Sequence, residues 1–254
     1  MVVIWGLDLH EMQWSKFKSS YMFNRIYHLR RTKMIVYQAA MILCVVSESV
    51  GTAALADYVD QQSFVENLNH VAAVYNDDFV GIASYNIFVG IAVATIFGAA
   101  FFFDLFWPER RESAAVRIAW KIAAVVVTIM CLADAIAMTV IVATRHAYVS
   151  GVDSTEARRL LDQAKKNPNL IYKHNPYCIA SVVLLWCGLV ATIASTFILF
   201  ASHNHDDVHG VFSKEGRAER DGAVQESKAN SSVASGDSAM IPENICGLRT
   251  IIRL

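Results

Sequence analysis

Residues 178–201 read CIASVVLLWCGLVATIASTFILFA, and residues 88–103 read FVGIAVATIFGAAFFF. Neither run contains a charged side chain, and neither keeps the polar stripe of an amphipathic helix in a soluble protein. A helix needs about 20 mostly apolar residues to cross the hydrocarbon core of a bilayer. These stretches therefore predict membrane-spanning helices rather than buried helices of a soluble domain.

Four segments of the chain meet this length requirement. Hydrophobic residues make up 55% of the sequence and charged residues only 18%, whereas soluble proteins carry about 25% charged residues. We predict an all-α fold, an integral membrane four-helix bundle, with spans at about residues 34–58, 85–107, 118–143 and 178–201. The first long apolar segment is expected to act as an uncleaved signal-anchor, because residues 1–12 lack the basic start of a signal peptide.

The distribution of lysine and arginine predicts the orientation. With both ends inside, sixteen of these residues lie in inner segments and six in outer ones, which follows the positive-inside rule. The sequence therefore predicts a cytoplasmic segment at 1–33, a transmembrane domain at 34–201 and a cytoplasmic tail at 202–254. The expected location is the secretory pathway or the plasma membrane.

Short amphipathic helices are predicted in both outer loops. In the second loop, Asp153 precedes Glu156 by three residues, a spacing typical of a helix N-terminus. In the first loop, apolar residues fall at helical spacing: Phe64, Leu68, Val71 and Tyr75.

The tail from residue 202 is polar and rich in Ser, Gly, Ala and charge, and we expect it to be disordered. It begins with His203, His205 and His209 close to two aspartates. These histidines are weak candidates for a divalent metal site, because no rigid spacing fixes them. No cysteine pair has zinc-site spacing, so neither a metal nor another cofactor is predicted.

The segment before the first span mixes aromatic and basic residues. Trp14, Phe17 and Tyr21 fall on one helical face. A helix lying on the inner leaflet would attract anionic lipid through its bases, and ordinary positive-inside flanking sequence is the alternative. The candidate lipid contacts are Lys16, Lys18, Arg25, Arg30, Arg31 and Lys33.

Two carboxyl groups lie within the predicted spans, where ionisable residues are costly and are candidates for function. Counted along each helix from the inner boundary, Glu48 and Asp134 lie about 21 Å and about 24 Å deep. No lysine or arginine lies at that depth. Because removal from water disfavours the charged form, we predict that at least one is protonated at neutral pH. Either a neutral acid joins two helices, or the pair forms a proton or cation site.

Small residues recur on two helix faces. Gly90, Ala94 and Gly98 share one face of the second span, and Gly188 lies on a similar face of the fourth. Such faces let helices approach closely. They predict packing within the bundle or contacts in a homo- or hetero-oligomer.

The sequence lacks the motifs of several function classes. No nucleotide-binding loop, HExxH, GxSxG or Ser/His/Asp spacing is present, so the protein is not expected to be an enzyme. The net charge is −1 and the basic stretches flank membrane segments, which argues against nucleic-acid binding.

Four short-looped spans with both ends inside resemble the MARVEL-type and tetraspan membrane organisers, including fungal ones. The resemblance covers about residues 30–205 and rests on topology. The chain lacks the Cys-Cys-Gly motif of tetraspanins, the outer Trp and Cys pattern of claudins and the outer cysteine pair of eisosome-type tetraspans, so no functional residue is carried over. The resemblance implies membrane organisation, vesicle traffic or lateral association.

Two functions remain open at this stage. The first is a non-enzymatic scaffold whose cytoplasmic segments recruit partners of unknown identity. The second is a small proton- or cation-coupled transporter or channel that uses Glu48 and Asp134. The scaffold is favoured because the repeated halves and broken helices of transporters are missing.

Overall fold

The computed structural model describes residues 3–4, 7–110, 112–164 and 166–237. The chain begins with two short paired strands, Val3–Ile4 (β1) and Leu7–Asp8 (β2). Two 3-10 turns, the second at Trp14–Phe17, and one turn of helix at Ser19–Met22 (α1) follow. The remaining elements, in chain order, are Arg30–Leu68 (α2), Ala73–Tyr75 (β3), Asp77–Phe106 (α3), Ala114–Thr144 (α4), Tyr148–Ser150 (β4), Ser154–Gln163 (α5), Pro176–His209 (α6) and Lys214–Asp237 (α7).

The four predicted spans are confirmed as helices. α2, α3, α4 and α6 are long and apolar enough to cross a membrane, and the protein is a four-helix membrane bundle. α2 packs against both α3 and α6, and α4 closes the bundle between them. Large apolar side chains such as Ile42, Phe88, Ile122 and Phe197 remain exposed on its outside, as expected for a surface in contact with lipid.

All four helices begin before their predicted spans, and all but α3 also end after them. The largest difference lies in the first outer loop. α2 continues to Leu68, so Phe64 and Leu68 belong to the spanning helix and not to a separate amphipathic helix. Residues 57–68 contain neither Gly nor Pro, so nothing stops the helix at the membrane boundary. Tyr75 lies in β3.

The second outer-loop prediction is confirmed. α5 begins after Asp153, whose side chain accepts a hydrogen bond from the backbone N–H of Thr155 at 3.3 Å. Leu160 and Leu161 face inward and are buried with Val65. We call this end of the bundle, where β3 pairs antiparallel with β4 and α5 covers them, the capped end.

The other end of the bundle is built differently, and we call it the basic end. It comprises residues 14–33, the turn 107–113 between α3 and α4, and residues 203–217. The N-terminal and C-terminal segments are bonded here: the backbone N–H of Ser213 donates to the carbonyl of Ile26 at 2.8 Å, and that of His28 donates to Val211 at 3.1 Å. Tyr27 stacks on Phe212 with ring centroids 5.6 Å apart.

The prediction of a disordered tail from residue 202 is corrected for its described part. α6 continues to His209, and α7 covers Lys214–Asp237. Residues 214–237 contain no proline and many Ala, Glu, Lys and Arg residues, which favour helix, and the Ser213 side chain accepts from Gly216 N–H at 3.1 Å to cap it. The rest of the tail, 238–254, lies outside the described residues.

Candidate functional site

Asp134 of α4 lies in the interior of the bundle. Its side chain is fully buried, with 0% exposure. Within the described residues, neither carboxyl oxygen has a hydrogen-bond partner. Cys131 and Met138, one turn away on either side, are buried on the same face. Burying a carboxylate without a partner is costly, so this position demands either a proton on the carboxyl group or a bound partner.

Glu48 of α2 lies at the contact between α2 and α3 and is only partly buried. Its carboxyl group lies directly against Gly90, and an added Cβ atom at Gly90 would overlap Glu48 Oε2. That oxygen is itself buried and has no partner among the described residues. Gly90 therefore provides the space that lets this carboxyl group enter the helix interface.

A polar cluster that the sequence reasoning missed lies nearby in the bundle. Ser47 Oγ donates to the carbonyl of Ser181 at 2.8 Å, and Ser181 Oγ donates to the carbonyl of Ser47 at 2.9 Å. Asn86, one turn before Gly90 on α3, is 1% exposed and donates to Ser181 Oγ at 3.5 Å. The signal in the sequence is an amide within an otherwise apolar segment, together with the serines of the first and fourth spans.

The unpaired atoms of this region share one chemical property. Asn86 Oδ1, Glu48 Oε2 and both carboxyl oxygens of Asp134 are acceptors without a donor in the described structure. A proton on one carboxyl group would supply a donor. Each of the two carboxyl groups can therefore hold a proton, either as a fixed hydrogen-bond donor or as a step in proton transfer.

The small-residue faces contact α2 of the same chain. An added Cβ atom at Gly188 would lie 2.8 Å from Cys44 Sγ, and one at Gly98 would lie 3.3 Å from Met41 Sδ. Gly90 faces Glu48 as described, while Ala94 between them is partly buried. Gly90, Gly98 and Gly188 therefore serve packing within the bundle.

The candidate lipid contacts divide into two groups. Lys18, Arg25 and Arg31 are exposed and available to a membrane surface. Three others turn toward the protein: Lys16 Nζ donates to the carbonyl of Phe106 at 2.7 Å, Lys33 pairs with Asp104 at 3.2 Å, and Arg30 is 3% exposed. The segment forms a 3-10 turn and one helical turn instead of the predicted surface helix.

An ion-pair network connects the basic end across three segments. Asp104 accepts from Lys33 at 3.2 Å and from Arg110 at 3.0 Å. Arg110 also pairs with Glu112 at 2.5 Å. The pKa of Arg110 is raised because these two carboxylates outweigh the opposing effect of burial.

The tail histidines pack against the N-terminal segment and against each other. His205 stacks on His28 with ring centroids 3.5 Å apart, and His209 stacks on His205 at 5.0 Å. Within the described residues, no group of three His, Cys, Asp or Glu side chains is placed to hold a metal ion. His203, His205 and His209 therefore receive no support as metal ligands.

No protein-family model, no curated protein and no solved structure matches the chain. The resemblance to MARVEL-type organisers thus still rests on topology. The geometry of the bundle has to support any functional conclusion.

Proposed function

We propose that this chain is a non-enzymatic membrane-organising or trafficking scaffold. It resides in a membrane of the secretory pathway or in the plasma membrane, with both termini in the cytoplasm. In this proposal the bundle is a fixed anchor, and the basic end is the cytoplasmic face that recruits partners. The observation that carries the proposal is the close contact between α2 and α6, which is held by hydrogen bonds between the two helices.

Side chains of these two helices bond to each other's backbone at more than one height. Ser47 and Ser181 form the reciprocal pair described above, and Ser195 Oγ lies 3.2 Å from the carbonyl of Val36 as a donor. Between these points, Gly188 leaves room only for Cys44. A contact held by backbone carbonyls and by a glycine opposes the sliding that alternating access requires, and this favours an anchor.

The basic end has the features of a recruitment surface. Residues 25–28 and 211–213 are joined by backbone hydrogen bonds, so the two terminal segments form one unit. α7 extends from this unit, and its polar side chains from Glu215 through Glu226 are mostly exposed. A helical segment beside the membrane with mostly exposed polar side chains over residues 215–226 is suited to binding a cytoplasmic protein.

A transporter or channel is the second candidate, and the unpaired oxygens of Asp134 favour it. Proton-coupled proteins place such carboxyl groups in the membrane interior. The neutral-acid interpretation requires only that the carboxyl group be protonated and fixed, whereas the transport interpretation requires it to release that proton.

Reconstitution of the purified chain separates the two candidates. Glu48→Gln and Asp134→Asn keep shape and hydrogen-bonding capacity but cannot titrate. For a scaffold, we expect proteoliposomes to show no proton or monovalent-cation flux above empty liposomes, and both variants to keep wild-type stability and wild-type lateral mobility in cell membranes. A scaffold should also lose its slow, clustered diffusion when residues 214–254 are deleted. Flux that disappears in Asp134→Asn while the fold is kept would overturn the scaffold proposal in favour of transport.

A further inference from the structure

A cavity of about 350 Å³ opens at the basic end. Its walls come from the N-terminal segment, the inner ends of α2 and α3, the α3–α4 turn, α4 and the end of α6. Four basic side chains line it: Arg30, Lys33, Arg110 and Arg117. The cavity belongs neither to the carboxyl groups inside the bundle nor to the exposed surface of α7.

The three carboxylates that line the same cavity already have partners. Asp104 is held by Lys33 and Arg110, and Glu112 is held by Arg110. Asp206 accepts from the Ser202 hydroxyl at 3.3 Å and lies 3.6 Å from His205 Nδ1. Arg117 is paired as well, with Asp207, which is not among the lining residues. The carboxylates of the lining and three of its four bases are thus engaged from within the protein.

Arg30 differs from the other three bases of the lining, each of which is paired with a carboxylate. Its guanidinium donates to three backbone carbonyls, those of Met22 at 3.3 Å, Asp104 at 3.3 Å and Leu105 at 3.5 Å. It forms no ion pair with a carboxylate among the described residues. A guanidinium has five N–H donors, so two remain for a ligand. A buried cation without a counter-charge is costly, and an anion in the cavity would remove that cost.

The other walls add donors and fix the site. The guanidinium of Arg30 stacks over the rings of Tyr21 and Tyr27, at 4.7 Å and 5.0 Å from their centroids, which orients its plane. His203 lines the cavity, and its buried Nδ1 atom has no partner among the described residues. A neutral imidazole keeps one N–H, so Nδ1 can donate to a phosphate oxygen in the tautomer that carries the proton there.

We propose that this cavity binds a phosphate group, with Arg30 as its main charged contact and Arg117, which also pairs with Asp207, as the second. The planar fork of arginine suits two phosphate oxygens at once. The phosphate is carried either by the headgroup of an anionic lipid in the adjacent leaflet or by a soluble phosphate compound, since both present the same oxygens. This site goes beyond the scaffold proposal, because it would bind its ligand whether the bundle anchors partners or conducts ions.

The test uses the full chain in nanodiscs and measures both binding and thermal stability. Inorganic phosphate and inositol trisphosphate are the soluble probes, at ionic strength matched with chloride. Nanodiscs of phosphatidylcholine, with and without a phosphoinositide, are the lipid probes. Arg117→Gln removes a partly exposed cation outside the core together with its ion pair to Asp207. Arg30→Lys keeps the charge but loses the fork. Arg158→Gln, at the capped end, is the matched control.

We expect at least one phosphate probe to bind, and Arg117→Gln and Arg30→Lys each to weaken it about tenfold. Arg158→Gln should bind as the wild type does. Binding of the soluble probes in plain nanodiscs assigns the site to a free phosphate compound, and binding of phosphoinositide nanodiscs alone assigns it to a lipid headgroup. Absence of binding by every probe, or equal affinity in Arg117→Gln and the control, would overturn the proposal.

Discussion

The carboxyl group of Glu48 occupies the space that a side chain at Gly90 would need. An added Cβ atom at Gly90 would lie 3.0 Å from the Glu48 carboxyl carbon and 3.1 Å from its Cβ, and it would overlap Oε2. The close approach of α2 and α3 therefore depends on a glycine opposite an acidic residue. The Glu48 carboxyl group fits in this contact because residue 90 has no side chain.

Gly90→Ala should destabilise the bundle, by about 1–3 kcal/mol if the neighbouring side chain cannot move away. Gly81→Ala is the matched control, because Gly81 lies on the same helix with nothing within 4 Å of an added Cβ. In the double variant, Glu48→Ala should recover part of the loss by removing the overlapping carboxyl group. Unfolding in mixed detergent measures the free energy of unfolding of each variant. If the effects of Gly90→Ala and Glu48→Ala simply add in the double variant, the contact between these two residues is contradicted.

The reciprocal bonds of Ser47 and Ser181 should contribute to the α2–α6 contact. Hydrogen bonds between membrane helices are worth about 0.6 kcal/mol on average and up to about 1.7 kcal/mol. We expect Ser47→Ala and Ser181→Ala each to cost an amount in this range, with the double variant costing less than their sum because both bonds join one pair. Ser84→Ala is the control, since Ser84 bonds only to Val80 of its own helix. A Ser47→Ala variant as stable as the control would refute this prediction.

Residues 25–28 and 211–213 are joined by backbone hydrogen bonds, and we call this contact the joint. The joint should weaken in acid. The pKa of His28 is lowered, first by burial and then by the charge of His205 stacked on it, while Asp206 opposes this and Lys33 and Arg217 add to it. The folded joint therefore binds fewer protons than the open one at mildly acidic pH. Its stability is fully present above about pH 6.5, the ordinary histidine value, and is lost as the pH falls through the lowered pKa.

Hydrogen exchange at pH 5.5 and pH 7.5 can measure this opening. Backbone amides of His28 and Ser213 are bonded across the joint and should exchange faster at the lower pH, after correction for intrinsic rates. His28→Phe keeps an aromatic ring for stacking but cannot be protonated, so its protection should change less with pH. Equal pH dependence in the variant and the wild type would show that His28 is not responsible.

Both termini should be cytosolic, on the strength of the basic residues at the ends of the spans. The N-terminal and C-terminal segments meet at the basic end, so they must lie on one side of the membrane. Protease treatment of sealed microsomes should remove tags placed before Met1 and after Leu254. A tag inserted in the capped end, at residue 70 between α2 and β3, should be protected. Protection of the terminal tags would invert the topology.

Some features could be predicted because they depend on one segment alone. The four spans follow from hydropathy and length, and α5 follows from the cap at Asp153 and the apolar stripe behind it. The length of α2 was underestimated, since membrane hydropathy ends near Tyr58 whereas the helix ends only at Leu68. Helical structure over residues 214–237 could not be predicted from composition, because few apolar residues predict little burial, whereas helix propensity and the cap at Ser213 still favour a helix.

Which residues meet was decided by tertiary structure. The sequence by itself determined that four helices cross the membrane and that two acids lie within them, since bilayer thickness and the cost of burying charge act on each segment separately. It could not determine that Glu48 faces Gly90, that Asn86 reaches Ser181, or that Arg30 and Lys33 turn toward the protein. Those contacts depend on the rotation of each helix about its axis and on its neighbours, and close packing of the whole bundle fixes both.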